Sequence, residues 1–125
     1  MDCSKWVSHD TVPVYLQLYE KMRNSILGGE IQPGGKLPSI RGMATLLHIS
    51  ANTVTKAFWL LSNQKLILCS NGKGYNVTPD ALYVQQQKQE QVRILCCTYI
   101  QKMLKLSYTK EEAILLIRKS FPNLH

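Results

Sequence analysis

From Tyr15 the apolar residues fall at Tyr15, Leu18, Tyr19, Met22 and Ile26, with Gln17, Glu20, Lys21 and Asn24 between them. That spacing draws one apolar stripe along a helix. Pro13 can open it, because the N–H that proline lacks would be unpaired there anyway, and Gly28-Gly29 ends it. Ile31-Gln32-Pro33-Gly34-Gly35 then reads as turn chemistry, since Pro sets φ and Gly accepts positive φ. Two shorter amphipathic helices follow. Ser39 caps one that runs through Leu47 and should bury Ile40, Met43, Ala44 and Leu47. Gly42 in its first turn costs roughly 1 kcal/mol against Ala. His48-Ile49 makes a turn, and Ser50 caps a helix that should bury Val54, Ala57, Phe58 and Leu61. Ala51, Asn52, Thr53, Thr55 and Lys56 are left near its exposed N-terminal end.

Leu66 to Ser70 and Tyr75 to Thr78 are β-prone runs around Asn71-Gly72-Lys73-Gly74, and Asn-Gly between such runs signals a hairpin. A fourth helix starts near Thr78-Pro79-Asp80, with Thr or Asp as cap and Pro suited to the first turn. Its 85–91 stretch, Gln-Gln-Gln-Lys-Gln-Glu-Gln, is polar almost all round and reads as a solvated spacer. Beyond it Val92, Leu95, Cys96, Tyr99, Ile100, Met103 and Leu106 form an apolar stripe that Ser107-Tyr108 breaks. Thr109 and Glu112 fit a capping box for a fifth helix with Ala113, Leu116, Ile117 and Phe121 on one face. Two such helices cannot cover both stripes by folding on each other while standing off a polar spacer, so a symmetric second copy is expected to supply the cover. The seam would hold Val92, Leu95, Cys96, Tyr99, Ile100, Met103, Leu116 and Ile117.

The order helix, turn, helix, strand, Gly-bearing turn, strand is that of a winged helix-turn-helix. The expected fold is therefore mainly α with a small β-hairpin wing and a two-helix C-terminal dimerisation appendage. The expected parts are an N-terminal arm over 1–12, the winged domain over 13–78 and the helical tail over 79–125. On this scaffold one exposed helix fits the major groove of duplex DNA.

A chain of 125 residues, 45% of them hydrophobic, can bury one modest core. Its net charge of +7 suits a polyanionic partner, but the charge is spread along the chain and is weak support by itself. Cys3, Cys69, Cys96 and Cys97 contain no C-x-x-C pair, and adjacent Cys96 and Cys97 diverge by about 100° on a helix. They read as buried structural thiols of a cytoplasmic protein. His9 and His48 have no partner at ligand spacing. No metal, cofactor, membrane span or signal peptide is expected, and no nucleophile–base pairing points to an enzyme. The GKG tract opens no helix, so it is not a phosphate-binding loop of the Walker type.

The segment from Pro13 to Val77 resembles the DNA-binding domain of the GntR family of bacterial transcription regulators. The resemblance is carried by GGEIQPGGKLPSIR, by ISANTVTKAF and by the GKG wing. The short two-helix tail is similar to that of the YtrA subfamily, which implies a homodimer joined through the tail. Two recognition helices related by a twofold axis must enter successive major grooves of a double-stranded DNA operator, so half-sites should lie about one helical turn apart; repression by promoter occlusion is what the resemblance implies. Three residues depart from the family pattern. Gly42 stands where an acidic residue is usual, Lys65 replaces a glycine, and Ala51 fills a position often taken by Pro or Arg.

By that resemblance Arg41 reaches the operator. Asn52 and Thr53 suit base edges, Lys56 suits phosphate or guanine, and Thr55 is either a contact or ordinary surface. Ser39 and Ser50 are caps whose helix N-termini also favour phosphate. At the wing, Gly72 allows close approach and Lys73 brings charge, while Asn71 serves the turn. Tyr15, Tyr19, Phe58 and Trp59 read as core or core-edge aromatics rather than stacking platforms. An unidentified small-molecule effector would sit between tail and winged domain, or act through the 85–91 spacer. The rival class is a winged helix serving as a protein-interaction or RNA-binding module. That use tends to lose the basic polar face that Arg41, Asn52, Thr53, Lys56 and Lys73 keep here.

Overall fold

A computed structural model describes residues 11–72 and 74–123. Contacts divide the chain into two compact units, Met1–Lys88 and Gln89–His125.

In the first unit, α1 (Val14–Leu27), α2 (Ile40–Leu47) and α3 (Ala51–Asn63) precede the strands β1 (Ile67–Cys69) and β2 (Tyr75–Val77). Helix α3 packs on both α1 and α2. The core between them is built from Leu18, Met22 and Ile26 of α1, Met43 of α2, and Val54, Ala57, Phe58 and Leu61 of α3. These residues lie on the stripes the apolar spacing predicts, while Tyr15, Tyr19, Ile40, Ala44 and Leu47, expected on the same faces, are only partly buried. Ile67 and Val77 close the core from the strands, and the Phe58 ring meets Tyr75 edge-on at 5.0 Å between centroids. Helix α4 (Ala81–Lys105) begins in this unit. The Asp80 carboxylate accepts from the Tyr83 N–H at 3.0 Å, so Asp80 caps the helix and Pro79 precedes the cap instead of lying in the first turn. Val84 is buried in the same core, and the Tyr83 hydroxyl donates to the Gln64 carbonyl at 2.5 Å.

The strands pair antiparallel in the register Ile67↔Val77, Leu68↔Asn76 and Cys69↔Tyr75. Asn71 and Gly72 adopt left-handed φ of 42° and 76° at the tip, beyond the Ser70 N–H that donates to the Gly74 carbonyl at 2.8 Å. The far edge of β2 is not left open. The Leu37 N–H donates to the Tyr75 carbonyl at 3.0 Å, and the Val77 N–H donates to Gly35 at 2.8 Å. The Pro-Gly segment read as a turn from sequence thus also covers the exposed edge of the wing.

Lys65 ends α3 at φ 59°, with its N–H on the Ser62 carbonyl and the Leu66 N–H on the Leu61 carbonyl at 3.1 Å. This is a Schellman closure with lysine in the left-handed position that glycine usually takes. His48 at φ 54° and Ser107 at φ 70° close α2 and α4 in the same hand.

The second unit comprises the C-terminal part of α4 and α5 (Lys110–Ser120). Both halves of the capping box form: the Thr109 hydroxyl accepts from the Glu112 N–H at 3.1 Å, and the Glu112 carboxylate accepts from the Thr109 N–H at 3.0 Å. These bonds, the backbone one foremost, hold the Glu112 carboxyl below its ordinary pKa. The Tyr99 hydroxyl donates to the Ala113 carbonyl at 2.7 Å, and Ala113 is fully buried. Most of the remaining apolar positions are open. Val92, Leu95, Leu104, Ile114, Leu115, Ile117 and Phe121 are all exposed. The face expected on α5 is therefore covered only at Ala113 and, in part, at Leu116.

A left-handed L-residue costs roughly 1–2 kcal/mol, and glycine gives back part of that through its greater unfolded freedom. Lys65→Gly should accordingly raise the free energy of unfolding by up to about 1 kcal/mol in urea melts. A loss of stability would contradict the closure described.

Candidate nucleic-acid interface

The site is made by two capped helix starts and one hairpin. At α2 the Ser39 hydroxyl accepts from the Gly42 N–H at 2.9 Å. A Cβ on Gly42 would lie 3.0 Å from that same hydroxyl oxygen, so glycine gives the cap room. Arg41 is the second residue of the helix, exposed, and its side chain makes no hydrogen bond among the described residues. Ser39, Ile40, Arg41, Cys69, Gly72, Gly74 and Tyr75 line a groove of about 380 Å³ between the start of α2 and the wing. Two of the elements singled out from sequence are thereby brought together.

At α3 the Ser50 hydroxyl accepts from the Thr53 N–H at 3.2 Å and shares a hydrogen with the Thr53 hydroxyl at 2.8 Å. The Thr55 hydroxyl donates back to the Ala51 carbonyl at 2.9 Å. Both threonine hydroxyls thus have intrahelical partners and present chiefly their methyls and second lone pairs outward. The Lys56 ammonium lies over the Tyr15 ring, 5.4 Å from its centroid, a cation–π contact that ties the exposed side of α3 to the first turn of α1. Asn52 is exposed and has no hydrogen bond among the described residues. Its amide keeps full donor and acceptor capacity for an outside partner.

The wing is fixed at its base by Asn76, which accepts from the Ser70 hydroxyl at 2.7 Å and donates to the Gly34 carbonyl at 3.2 Å. Asn71 and Gly72 form the turn itself, while Lys73 lies outside the described residues.

Two expectations are corrected. Trp59 is 62% exposed, not a core or core-edge residue, because it lies seven positions from Asn52 on the outward line and off the Val54–Ala57–Phe58–Leu61 face. Cys69, Cys96 and Cys97 are exposed free thiols, not buried ones. Cys69 sits at the turn end of β1, and Cys96 and Cys97 lie on a stretch of α4 with little packed over it; Cys3 lies outside the described residues. Among the described residues no cluster of metal-binding side chains occurs, and no helix is long and apolar enough to cross a membrane. Sequence reasoning missed Tyr15 as the partner of Lys56, since only the packing of α1 on α3 brings them together.

A helix-turn-helix whose second helix stands exposed, followed by a short antiparallel hairpin, defines a winged helix-turn-helix domain. Residues 14–77 match the gntR family of bacterial regulatory proteins, and the chain belongs to that family. It is 35% identical over 71 residues to the HTH-type transcriptional repressor YtrA of Bacillus subtilis, in agreement with the YtrA-type subfamily. That stretch is 57% of this chain and 55% of YtrA, so the match spans about half the length of that relative. A GntR family transcriptional regulator from Listeria monocytogenes superposes with a TM-score of 0.84 at 28% identity, covering 90% of this chain and 98% of that one. The AraR DNA-binding domain, solved in complex with operator ORE1, matches with a TM-score of 0.52 at 30% identity over 57% of this chain and 87% of its own.

Structural and recognition roles should separate in denaturation. Ser50→Ala removes a cap and is expected to cost about 1 kcal/mol. Asn52→Ala removes no hydrogen bond seen here and should stay within about 0.5 kcal/mol of the parent. Equal losses from the two substitutions would mean that Asn52 supports the fold.

Proposed function

We propose that this protein is a sequence-specific transcription repressor that binds double-stranded DNA as a homodimer on a pseudo-palindromic operator in the bacterial cytoplasm. The observation that carries this reading is the outward flank of α3. It starts at a capped N-terminus, leaves the Asn52 amide unsatisfied, and carries no acidic side chain along the helix. Asn can pair bidentately with adenine, and Arg41 at the start of α2 reaches phosphate or guanine. The α2 and α3 N-termini favour an anion through their free N–H groups. Thr53, Thr55 and Lys56 complete the flank, and the Asn71-Gly72-Lys73 tip of the wing lies against the adjacent minor groove. The operator complex of the AraR domain and the repressor role of YtrA support DNA as partner and repression as outcome.

The dimer is argued from the second unit. Val92, Leu95, Cys96 and Ile117 are exposed there, with Tyr99, Ile100, Met103 and Leu116 half-covered beside them. So many open apolar side chains on two short helices are best covered by the same surface of a second copy, as a twofold interface requires. In this reading 13–78 is the DNA-binding domain and 79–125 the dimerisation tail. A pocket of about 270 Å³ lined by Cys96, Tyr99, Ile100, Lys110, Ile114 and Ile117 either joins that interface or admits a small-molecule effector.

Binding measured against duplex, single-stranded DNA and structured RNA tests the reading. Duplex should be preferred, with log K falling steeply and linearly with log salt. On a selected operator Asn52→Ala should cost roughly 1–3 kcal/mol and much less on random duplex. A flat salt response, or a preference for RNA, would contradict the assignment.

A further inference from the structure

Trp59 has no place in the fold or in the contacts assigned so far. It is 62% exposed, and its indole N–H has no hydrogen-bond partner among the described residues. Seven residues separate it from Asn52, close to two full turns, so both side chains leave α3 along one line about 10 Å apart. The major groove is about 12 Å wide. A helix that sets Asn52 against base edges therefore brings Trp59 to the wall of the groove, where the sugar–phosphate strand runs. Lys56 stands three residues before Trp59 and is its neighbour on the helix surface. The ammonium of Lys56 rests on the Tyr15 ring at 5.4 Å, and the Tyr15 hydroxyl also lacks a hydrogen bond among the described residues.

We propose that Trp59, Lys56 and Tyr15 form a backbone clamp that grips the sugar–phosphate strand bordering the groove read by Asn52. The inference rests on the DNA-binding reading above and joins to its Lys56 two residues that the reading does not use, Trp59 and Tyr15. Indole N–H, ammonium and phenol O–H are all donors, and the helix that carries two of them contains no carboxylate. That donor set matches phosphate oxygens, and the flat apolar flank of the indole fits the deoxyribose between successive phosphates. The Tyr15 ring holds the lysine ammonium at the edge of the flank, so less side-chain freedom is lost on binding. Because the contact is to the backbone, it should strengthen binding to any duplex and add little discrimination between sequences.

The test uses the full chain with Trp6→Phe, which leaves Trp59 as the sole tryptophan of the two. The probe is a labelled mixed-sequence duplex of about 30 base pairs, long enough for two half-sites one helical turn apart. Label anisotropy reads binding, and tryptophan emission reads Trp59. Emission should shift or quench in step with anisotropy. Trp59→Ala should weaken binding to mixed and operator duplexes by a similar factor, roughly tenfold, as expected for loss of one hydrogen bond to a charged group. Trp59→Phe should recover only the part due to the ring. Urea midpoints equal to the parent establish that the variants fold. Emission unchanged at saturation, or Trp59→Ala binding as tightly as the parent, would overturn the clamp while leaving the DNA reading intact. Emission that depends on protein concentration without DNA would place Trp59 against a second copy and overturn it as well. Failure of the parent itself to bind any duplex would remove the DNA reading, and the clamp with it.

Discussion

Burial of Val54, Ala57, Phe58 and Leu61 against α1 and α2 fixes the rotation of α3 about its own axis. Val54, Phe58 and Leu61 are each worth about 1.5–3 kcal/mol when fully removed from water. Turning the helix by one residue position, about 100°, would bring Thr53 and Lys56, or Thr55 and Ser62, into the core and forfeit several of those contributions together. Asn52, Thr55, Lys56 and Trp59 are presented to solvent because the core admits only the other face. The Ser50 cap sets where the helix begins, and the left-handed Lys65 sets where it ends. Between them the presented flank has a defined length as well as a defined direction.

The elements that local chemistry specifies were legible in the sequence. Ser39, Ser50 and Thr109 fix three helix starts through their own hydroxyls, and each start lies where the residue type puts it. Asn71-Gly72 dictates the hairpin turn because few other pairs accept consecutive positive φ. The buried faces of α1 and α3 follow from spacing alone. What escaped was non-local or contrary to average behaviour. Pairing of Gly35 and Leu37 with β2 joins segments about forty residues apart, and Pro-Gly there reads only as a turn. Cysteine is usually buried, yet the three described here are exposed. Trp59 was misjudged by residue type although its phase, seven positions from Asn52, already placed it outside.

The two units use opposite strategies. The first buries its apolar stripes and exposes a polar flank. The second forms its helices through local devices, with the Thr109–Glu112 box at the start of α5 and the Tyr99 hydroxyl on the Ala113 carbonyl, and leaves much of its apolar surface uncovered. An eleven-residue helix is marginal on its own, since isolated helices below about 12–15 residues seldom persist in water. The capping box and a covering surface therefore serve the same end, and the proposed twofold partner would supply the larger share. The polar 85–91 stretch of α4, within which one compact unit gives way to the other, has no apolar stripe for a partner to cover.

The flank of α3 held outward by this core is the surface proposed to meet duplex DNA. Backbone amide shifts recorded by NMR while a mixed-sequence duplex is added at low salt test it most directly. The largest changes should fall at residues 39–42, 50–59 and 71–74, with 110–121 little affected. Changes concentrated in 92–121 with residues 50–59 unmoved would contradict it.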